Sequence, residues 1–272
     1  MEIVWTKKPG HGRELARAAV EAGVGLVVAV GGDGTLGEVV DGYLAAPEAA
    51  RRGSCLATFP VGSGCDFARH MGVPREPAAW ARAFAAGGLR HIDAARARFR
   101  GPDGAPRSRH FLNVAALGLP GDVAVTVARR GKFFGGVLTY LVEGALAVVC
   151  AKAKRMRLTV DGVEEAPAFY HLLAVANTST FGGWMKLSPS ADAEDGLLYL
   201  ITIADRTRAE LLALLPRAYS GGHIGRPGVV LRRARRIEIH AEEALPLNID
   251  GDAEGAAPVL FEVLPKAVAF RL

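Results

Sequence analysis

A carboxylate lies in the middle of a glycine-rich turn, between an apolar strand pattern and a helical pattern. The segment reads LVVAVGGDGTLGEVVDG over positions 26–42, with Asp33 between two glycines. Glycine permits positive φ and close backbone approach, and the free N–H groups at a helix start attract anions. Because Asp33 would repel a bare phosphate, we predict that it contacts one through Mg²⁺ or accepts a proton from an attacking hydroxyl.

The residues after this turn predict how the helix begins. Thr35 and Glu38 form a T-x-x-E capping box, which predicts a helix start at Thr35. The letters also fit the dinucleotide fingerprint G-x-G-x-x-G, but that fingerprint needs an acidic residue after the next strand, which here ends in Thr-Phe-Pro. A tight turn without a ligand is the other alternative. The predicted nucleotide-binding residues of this turn are Gly31, Gly32, Asp33, Gly34, Thr35, Leu36, Gly37 and Glu38.

A second glycine turn follows the next strand pattern. It lies in ATFPVGSGCDFARHMGVP, positions 57–74, where Ser63 offers a hydroxyl and Ser63-x-x-Asp66 predicts a helix cap. Two adjacent strand ends with anion-binding turns are typical of the ligand crevice of an open α/β sheet. Ser63 and Asp66 therefore join the predicted nucleotide-binding set.

Composition limits the ligands, partners and cell compartment to expect for this chain. The 272 residues are 50% hydrophobic, and 33 Lys and Arg against 28 Asp and Glu give a net charge of +5. This surplus suits small anions or an anionic membrane surface and is too weak to indicate nucleic acid. Three cysteines without metal spacing favour a reducing cytosol. The start does not resemble a signal peptide, and the longest apolar run, interrupted by Glu143, is too short to span a bilayer.

The order of patterns predicts two domains. Residues 1–92 alternate strand and helix, beginning with a strand at EIVWT, which predicts a parallel sheet with helices on both faces. Residues 93–272 are strand-like segments separated by Gly, Pro and Asp turns, which favours a mainly antiparallel domain. Two helical patterns interrupt it, near 121–151 and 207–219.

Several segments together resemble the diacylglycerol kinase catalytic-domain superfamily, which includes bacterial lipid kinases and the sphingosine and ceramide kinases. GGDGTLGEVVDG is similar to GGDGTxNEVxNG, and PVGSGCDFARHMGVP to PxGTxNDFAxxLGxP. WTKKPGHGRELAR, NTSTFGGWMKLSPSADAEDGLLYL and LNIDGDAEG resemble three further family elements in the same order. The matches extend from Thr6 to the end of the chain.

The resemblance implies a Rossmann-like α/β domain of the NAD-kinase and diacylglycerol-kinase type, followed by a β-sandwich domain that closes a cleft over ATP. It implies transfer of the γ-phosphoryl group of ATP, with Mg²⁺, to a lipid hydroxyl. Thr6 and Ser63 would contact the nucleotide with the first turn. Mg²⁺ would bind in the D-G-x-L loop, at Asp192, Asp195 and Leu197. Asp252 corresponds to the carboxylate that accepts the proton, and the choice between Asp252 and Asp33 stays open.

Departures from the family pattern keep alternatives open. The chain starts one β-α unit later than the family does, and Cys65 and Gly37 stand where the family has asparagines. Trp184 replaces a glycine, and Asp252 a glutamate. A catalytically weakened nucleotide- or lipid-binding paralogue and an NAD-kinase-like enzyme are therefore alternatives to the lipid kinase.

Acceptor, partners and location follow from the lipid-kinase prediction. The acceptor would be diacylglycerol or a sphingoid-type lipid, and the protein would be cytoplasmic and peripheral at the membrane. The basic runs at 152–157 and 231–236 are either solvated strand faces or a docking surface for anionic headgroups. Whether the chain forms a homodimer is left open.

Overall fold

The structure is a computed structural model of the chain and describes residues 1–62, 64–119, 148 and 151–272. The described helices are α1 His11–Glu21, α2 Asp33–Ala45, α3 Glu48–Arg51, α4 Asp66–His70, α5 Pro77–Ala86 and α6 Arg208–Ser220. The described strands are β1 Leu26–Gly31, β2 Cys55–Pro60, β3 Leu89–Arg100, β4 Pro106–Phe111, β5 Val114–Gly118, β6 Lys154–Val160, β7 Val163–Glu164, β8 Ala168–Ala176, β9 Leu198–Ala204, β10 Val229–Ala234, β11 Arg236–Ala241, β12 Pro246–Ile249 and β13 Asp252–Arg271. The helical pattern predicted near 121–151 lies outside the described residues.

Helices α1 to α5 with β1 and β2 form what we call the first lobe. β1 and β2 pair in parallel, with Leu26 opposite Cys55 and Gly31 opposite Pro60, as the alternating pattern predicts. Both strands therefore end at one edge of the sheet, and the glycine turns follow there. The core of this lobe consists of buried side chains from α1, α2, β1, β2, α4, β3 and β13, among them Val20, Val40, Tyr43, Leu56, Phe67, Ile92 and Phe270.

The predicted strand EIVWT is wrong. Residues 1–7 form no strand or helix, and Ile3, Val4 and Trp5 are largely exposed. Among the described strands β1 pairs only with β2. Residues 1–7 do not pair with the outer edge of β1. Leu26, Val28 and Val30, which alternate along β1, are exposed on the sheet face beside that edge.

The second lobe is antiparallel, as predicted, and its strands close on themselves. β8, β5, β12, β13, β11 and β6 follow one another, and β6 pairs again with β8. Alternate side chains of these six strands point inward and form a separate buried core, which includes Leu117, Met156, Leu173, Ile237, Leu247 and Phe261. The predicted α/β plus antiparallel β class is confirmed.

One strand belongs to both lobes. β13 is 20 residues long, pairs with β11 and β12 in the ring, and then continues along β3 into the first lobe. There Phe270 lies opposite Leu56 of β2, and its ring packs on Phe67 with 5.1 Å between centroids. The two lobes are therefore joined by continuous backbone hydrogen bonding.

Within the described ranges, no helix is both long enough and apolar enough to cross a bilayer.

Candidate active site

The two glycine turns touch each other at the ends of β1 and β2. A Cβ added to Gly62 would lie 2.5 Å from the Cα of Gly32, and one added to Gly31 would lie 2.5 Å from Oγ1 of Thr35. Side chains are therefore excluded where the turns meet, and this explains why glycines stand there. The predicted juxtaposition of the two turns is confirmed by this geometry.

The helix after the first turn begins two residues earlier than the capping-box pattern predicts. α2 starts at Asp33, with Gly32 as N-cap and no side-chain cap. Glu38 instead accepts hydrogen bonds from the backbone N–H groups of Gly10, at 2.7 Å, and Gly12, at 2.8 Å. The predicted capping box is wrong because Glu38 caps the neighbouring helix α1.

Asp33 is itself the anion held by the second turn. Its Oδ2 accepts the backbone N–H of Asp66 at 2.9 Å, and its Oδ1 accepts that of Phe67 at 3.1 Å. These are free N–H groups at the start of α4, which has Cys65 as N-cap and no cap from its own side chains. The carboxylate thus ties the start of α2 to the start of α4. Ser63, the other predicted cap, lies outside the described residues.

The second lobe reaches the same carboxylate through an asparagine. Asn113 Nδ2 donates to Oδ1 of Asp33 at 3.3 Å. Thr178 Oγ1 donates to Oδ1 of Asn113 at 3.1 Å, which fixes the orientation of the amide. Asp33 therefore connects both turns with the β-rich lobe.

Asp66 makes a second connection between the lobes. Its carboxylate accepts the backbone N–H groups of Gly183 at 2.8 Å and Trp184 at 3.2 Å, and it pairs with Arg69 at 2.7 Å. Burial raises the pKa of Asp66, and these two N–H donors act against that rise. Arg69 in turn stacks on the Trp184 ring, 4.1 Å from its centroid.

Asp250 is a partly buried carboxylate that contacts the backbone around Asn113. It accepts backbone N–H bonds from Asn113 at 3.1 Å, Val114 at 3.0 Å and Leu112 at 3.4 Å. A Cβ on Gly37 would lie 3.4 Å from its Oδ2, so Asp250 faces α2 one turn after Asp33. Burial raises the pKa of Asp250 to about 7, and the negative charge of Asp33 adds to the rise.

Asp252, two residues further along the chain, is open to solvent. Its side chain is 57% exposed, and its Oδ2 lies 3.3 Å from a guanidinium nitrogen of Arg109. Arg109 also pairs with Glu254 and lies opposite Gly37. A guanidinium thus lies beside Gly37 of α2, and an accessible carboxylate lies next to that guanidinium.

The remaining predicted site residues are Thr6 and the three residues of the D-G-x-L loop. Thr6 is exposed in the segment before α1. Asp192 and Asp195 are exposed, and Asp195 accepts the N–H of Leu197 at 3.0 Å and the hydroxyl of Tyr199 at 2.7 Å. No cluster of three or more His, Cys, Asp or Glu side chains is placed to hold a metal ion in the ranges that the structure describes. The assignment of Mg²⁺ to Asp192, Asp195 and Leu197 stays a prediction.

Sequence reasoning missed three residues of this site. Asn113 and Arg109 lie in RHFLNVAALG, which reads as an ordinary strand, and Asp250 precedes the glycine of the D-G-D element. A polar side chain within an apolar strand pattern is the signal that could have identified Asn113, because buried amides need hydrogen-bond partners. Arg109 has no such signal.

Two family models match the chain in sequence. Residues 1–97 match the diacylglycerol kinase catalytic domain, and residues 114–271 match the YegS C-terminal NAD kinase beta sandwich-like domain. An α/β lobe with paired glycine turns, closed by an antiparallel β lobe, defines a lipid kinase of this class. The chain belongs to the diacylglycerol kinase family and is a phosphotransferase with an alcohol acceptor.

Named relatives agree with this assignment. The chain is 29% identical to a diacylglycerol kinase of Bacillus subtilis (strain 168), over 97% of this chain and 85% of that protein. It is also 29% identical to a diacylglycerol kinase of Staphylococcus carnosus (strain TM300), over 94% of this chain and 79% of that protein. A crystal structure of a diacylglycerol kinase from Bacillus anthracis str. Sterne shares the fold, with a TM-score of 0.72 and 21% identity over 99% of this chain and 84% of that one.

Proposed function

We propose that the protein transfers the γ-phosphoryl group of MgATP to the free hydroxyl of a neutral lipid such as diacylglycerol. The observation that supports this most is the pair of touching glycine turns, with the exposed carboxylate of Asp252 paired to Arg109, which faces Gly37 of α2. Phosphoryl transfer depends on positioning and charge neutralisation more than on covalent chemistry by the protein. In this proposal Mg²⁺ enters as part of the nucleotide substrate.

The first turn would bind the phosphates through its backbone N–H groups. Gly31, Gly32 and Gly34 leave the backbone uncovered, and the start of α2 directs its free N–H groups toward the same space. The nucleotide-binding assignments of Thr6, Ser63 and Asp66 belong to this proposal. Asp66 would act indirectly, because its carboxylate is occupied by Gly183, Trp184 and Arg69.

Asp252 is the better candidate for the proton acceptor. Both oxygens of Asp33 accept backbone N–H bonds, whereas the Asp252 carboxylate is mostly exposed. As the acceptor oxygen bonds to the γ-phosphorus, the bond from that phosphorus to the β,γ-bridging oxygen breaks. ADP leaves with the bonding electrons, and the hydroxyl proton moves to Asp252. Asp33 would position the turns.

The proposal is tested by comparing Asp252→Asn and Asp33→Asn in an ATP-consumption assay with extracted membrane lipids. Asp252→Asn should lower kcat by about 100-fold or more, with ATP affinity unchanged in calorimetry. Asp33→Asn should weaken ATP binding itself, because an NH₂ donor replaces one of the two oxygens that each accept a helix N–H. Asp103→Asn, in the exposed loop before β4, is the control and should keep wild-type turnover.

Several results would contradict the proposal. Wild-type protein that binds no MgATP would leave the turns without their ligand. ATP binding without lipid-dependent turnover would favour the weakened paralogue, and turnover with NAD instead of lipid would favour the NAD-kinase-like alternative. Full turnover by Asp252→Asn would remove Asp252 as the proton acceptor.

Contact with a membrane surface is a further part of the proposal, since the acceptor is a lipid. The basic run at 152–157 supports it poorly, because three of its cations are paired with glutamates. The pairs are Lys154–Glu243 at 2.6 Å, Arg155–Glu242 at 2.6 Å and Arg157–Glu164 at 3.1 Å. This arrangement favours a solvated strand face, so vesicle binding should depend only weakly on salt.

A further inference from the structure

The guanidinium of Arg109 is enclosed by acidic groups at the junction of the two lobes. Its side chain is only 11% exposed and contacts Asp252 and Glu254. It also lies close enough to Asp250 to oppose the effect of burial on the pKa of that group, and it lowers that pKa. Arg109 is therefore the cation at the centre of three carboxylates.

The position of Arg109 relative to α2 connects this cluster with the first turn. A Cβ on Gly37 would lie 3.8 Å from a terminal nitrogen of Arg109 and 3.4 Å from Oδ2 of Asp250. Gly37 is one helical turn after Asp33, so Arg109 is next to the face of α2 that carries Asp33. The absence of a side chain at Gly37 gives Arg109 access to this face.

Arg109 is well suited to hold another side chain in place. The planar guanidinium presents several donors in fixed directions, and two of its nitrogens are used here, one for Glu254 and one for Asp252. Glu254 is mostly buried, so it fixes the guanidinium. Asp252, which is mostly exposed, would otherwise be free to sample several rotamers.

We infer that Arg109 is the positioning residue for Asp252: it holds this carboxylate on the Gly37 side of α2, in the orientation that accepts the proton of the lipid hydroxyl. The inference rests on the proposed function. Arg109 acts through Asp252 and need not touch the substrate. Lysine could not replace it fully, because one ammonium group lacks the fork that bridges Asp252 and Glu254.

The test compares Arg109→Gln and Arg109→Lys with Arg107→Gln, which removes an exposed arginine two residues earlier on the same strand. Steady-state kinetics with MgATP and diacylglycerol in mixed micelles should show kcat about 10-fold or more lower for Arg109→Gln, with the KM for ATP within twofold of wild type. Arg109→Lys should restore part of kcat, and Arg107→Gln should behave as wild type.

A double variant separates positioning from a general loss of structure. Adding Arg109→Gln to Asp252→Asn should lower kcat no further than Asp252→Asn alone, if Arg109 acts through Asp252. Circular dichroism and calorimetric ATP binding identify variants that fail to fold. If Arg109→Gln does not fold, Arg109→Lys still tests the inference. An unchanged kcat in both Arg109 variants, with an active wild type, would overturn this inference alone. A wild type without lipid-dependent turnover would overturn the proposed function as well.

Discussion

At the scale of single residues, backbone conformation explains several features that the sequence alone leaves ambiguous. Cys65 has φ 54° and Trp184 has φ 94°. Glycine and asparagine adopt such positive φ values readily, whereas other residues are strained there. The family pattern has asparagine and glycine at these two positions. The sequence shows the departures, but it cannot show that their cost is one of backbone strain.

Asp33 is a second example of what the sequence alone does not reveal. The sequence shows a carboxylate within the first glycine turn, and it predicts a metal or proton contact for it. It cannot reveal that the two oxygens are taken by N–H groups of Asp66 and Phe67, because α4 lies 33 residues further along the chain. Contacts over such separations depend on tertiary packing.

Asp250 gives a prediction for pH dependence. Burial raises its pKa from 3.8 to about 7 in the folded protein. Between those values the unfolded chain loses the proton while the folded protein keeps it, so the free energy of unfolding should fall as pH rises and level off above pH 7. The fall should be a few kcal/mol, because a tenfold difference in proton affinity between the two states is equivalent to ~1.4 kcal/mol. Urea denaturation at a series of pH values measures it.

Asp250→Asn should flatten this slope, whereas Asp103→Asn, in an exposed loop, should retain it. A variant slope equal to that of wild type would show that another group titrates.

At the scale of elements, α2 organises the site, since one face of it carries Asp33, Gly37 and Asp41. Asp41 accepts the backbone N–H of His110 at 2.9 Å and pairs with Arg13 of α1 at 3.2 Å. The helix is therefore held at its start by α4 and further along by α1 and β4. The segment TLGEVVDGYLAA predicted this helix, but its start was placed two residues late, because Glu38 caps a different helix.

The crossing of α1 and α2 gives a stability prediction. A Cβ on Gly42 would overlap the carbonyl oxygen of Arg13, whereas one on Gly34, in the same helix, would meet no atom within 4 Å. Gly42→Ala should therefore lower the free energy of unfolding by about 1–3 kcal/mol, since the helices must separate. Gly34→Ala should change it by no more than about 1 kcal/mol. Thermal and urea denaturation distinguish the two, and equal stability of both variants would refute close packing at Gly42.

At the scale of the whole molecule, the sequence predicted the two kinds of lobe but not how they are joined. Strand patterns in β13 indicate an antiparallel domain, and most of its pairing is of that kind. The single parallel bridge from Phe270 to Leu56 brings its end into the first lobe, over 214 positions of sequence. Periodicity carries no information about the partner of a strand.

This connection predicts that the lobes unfold together. Phe270 is fully buried in the core of the first lobe. Phe270→Ala should lower the free energy of unfolding by about 3–5 kcal/mol. Trp80 fluorescence in a Trp5→Phe, Trp184→Phe background, which reports on α5, and far-ultraviolet circular dichroism, which reports on both lobes, should shift to the same lower midpoint. Phe169→Ala, at an exposed position of β8, is the control and should change little; two separate transitions would contradict the coupling.

The path of β13 also bears on how the chain is made. β13, which pairs with β2 on the side away from β1, is synthesised about 210 residues after β2 itself. At ordinary elongation rates of about 5–20 residues per second, the nascent first lobe waits on the order of 10–40 s for that strand. During this interval Leu56 and the apolar surface around it are uncovered at the ribosome, where a chaperone would find its first binding site on this protein.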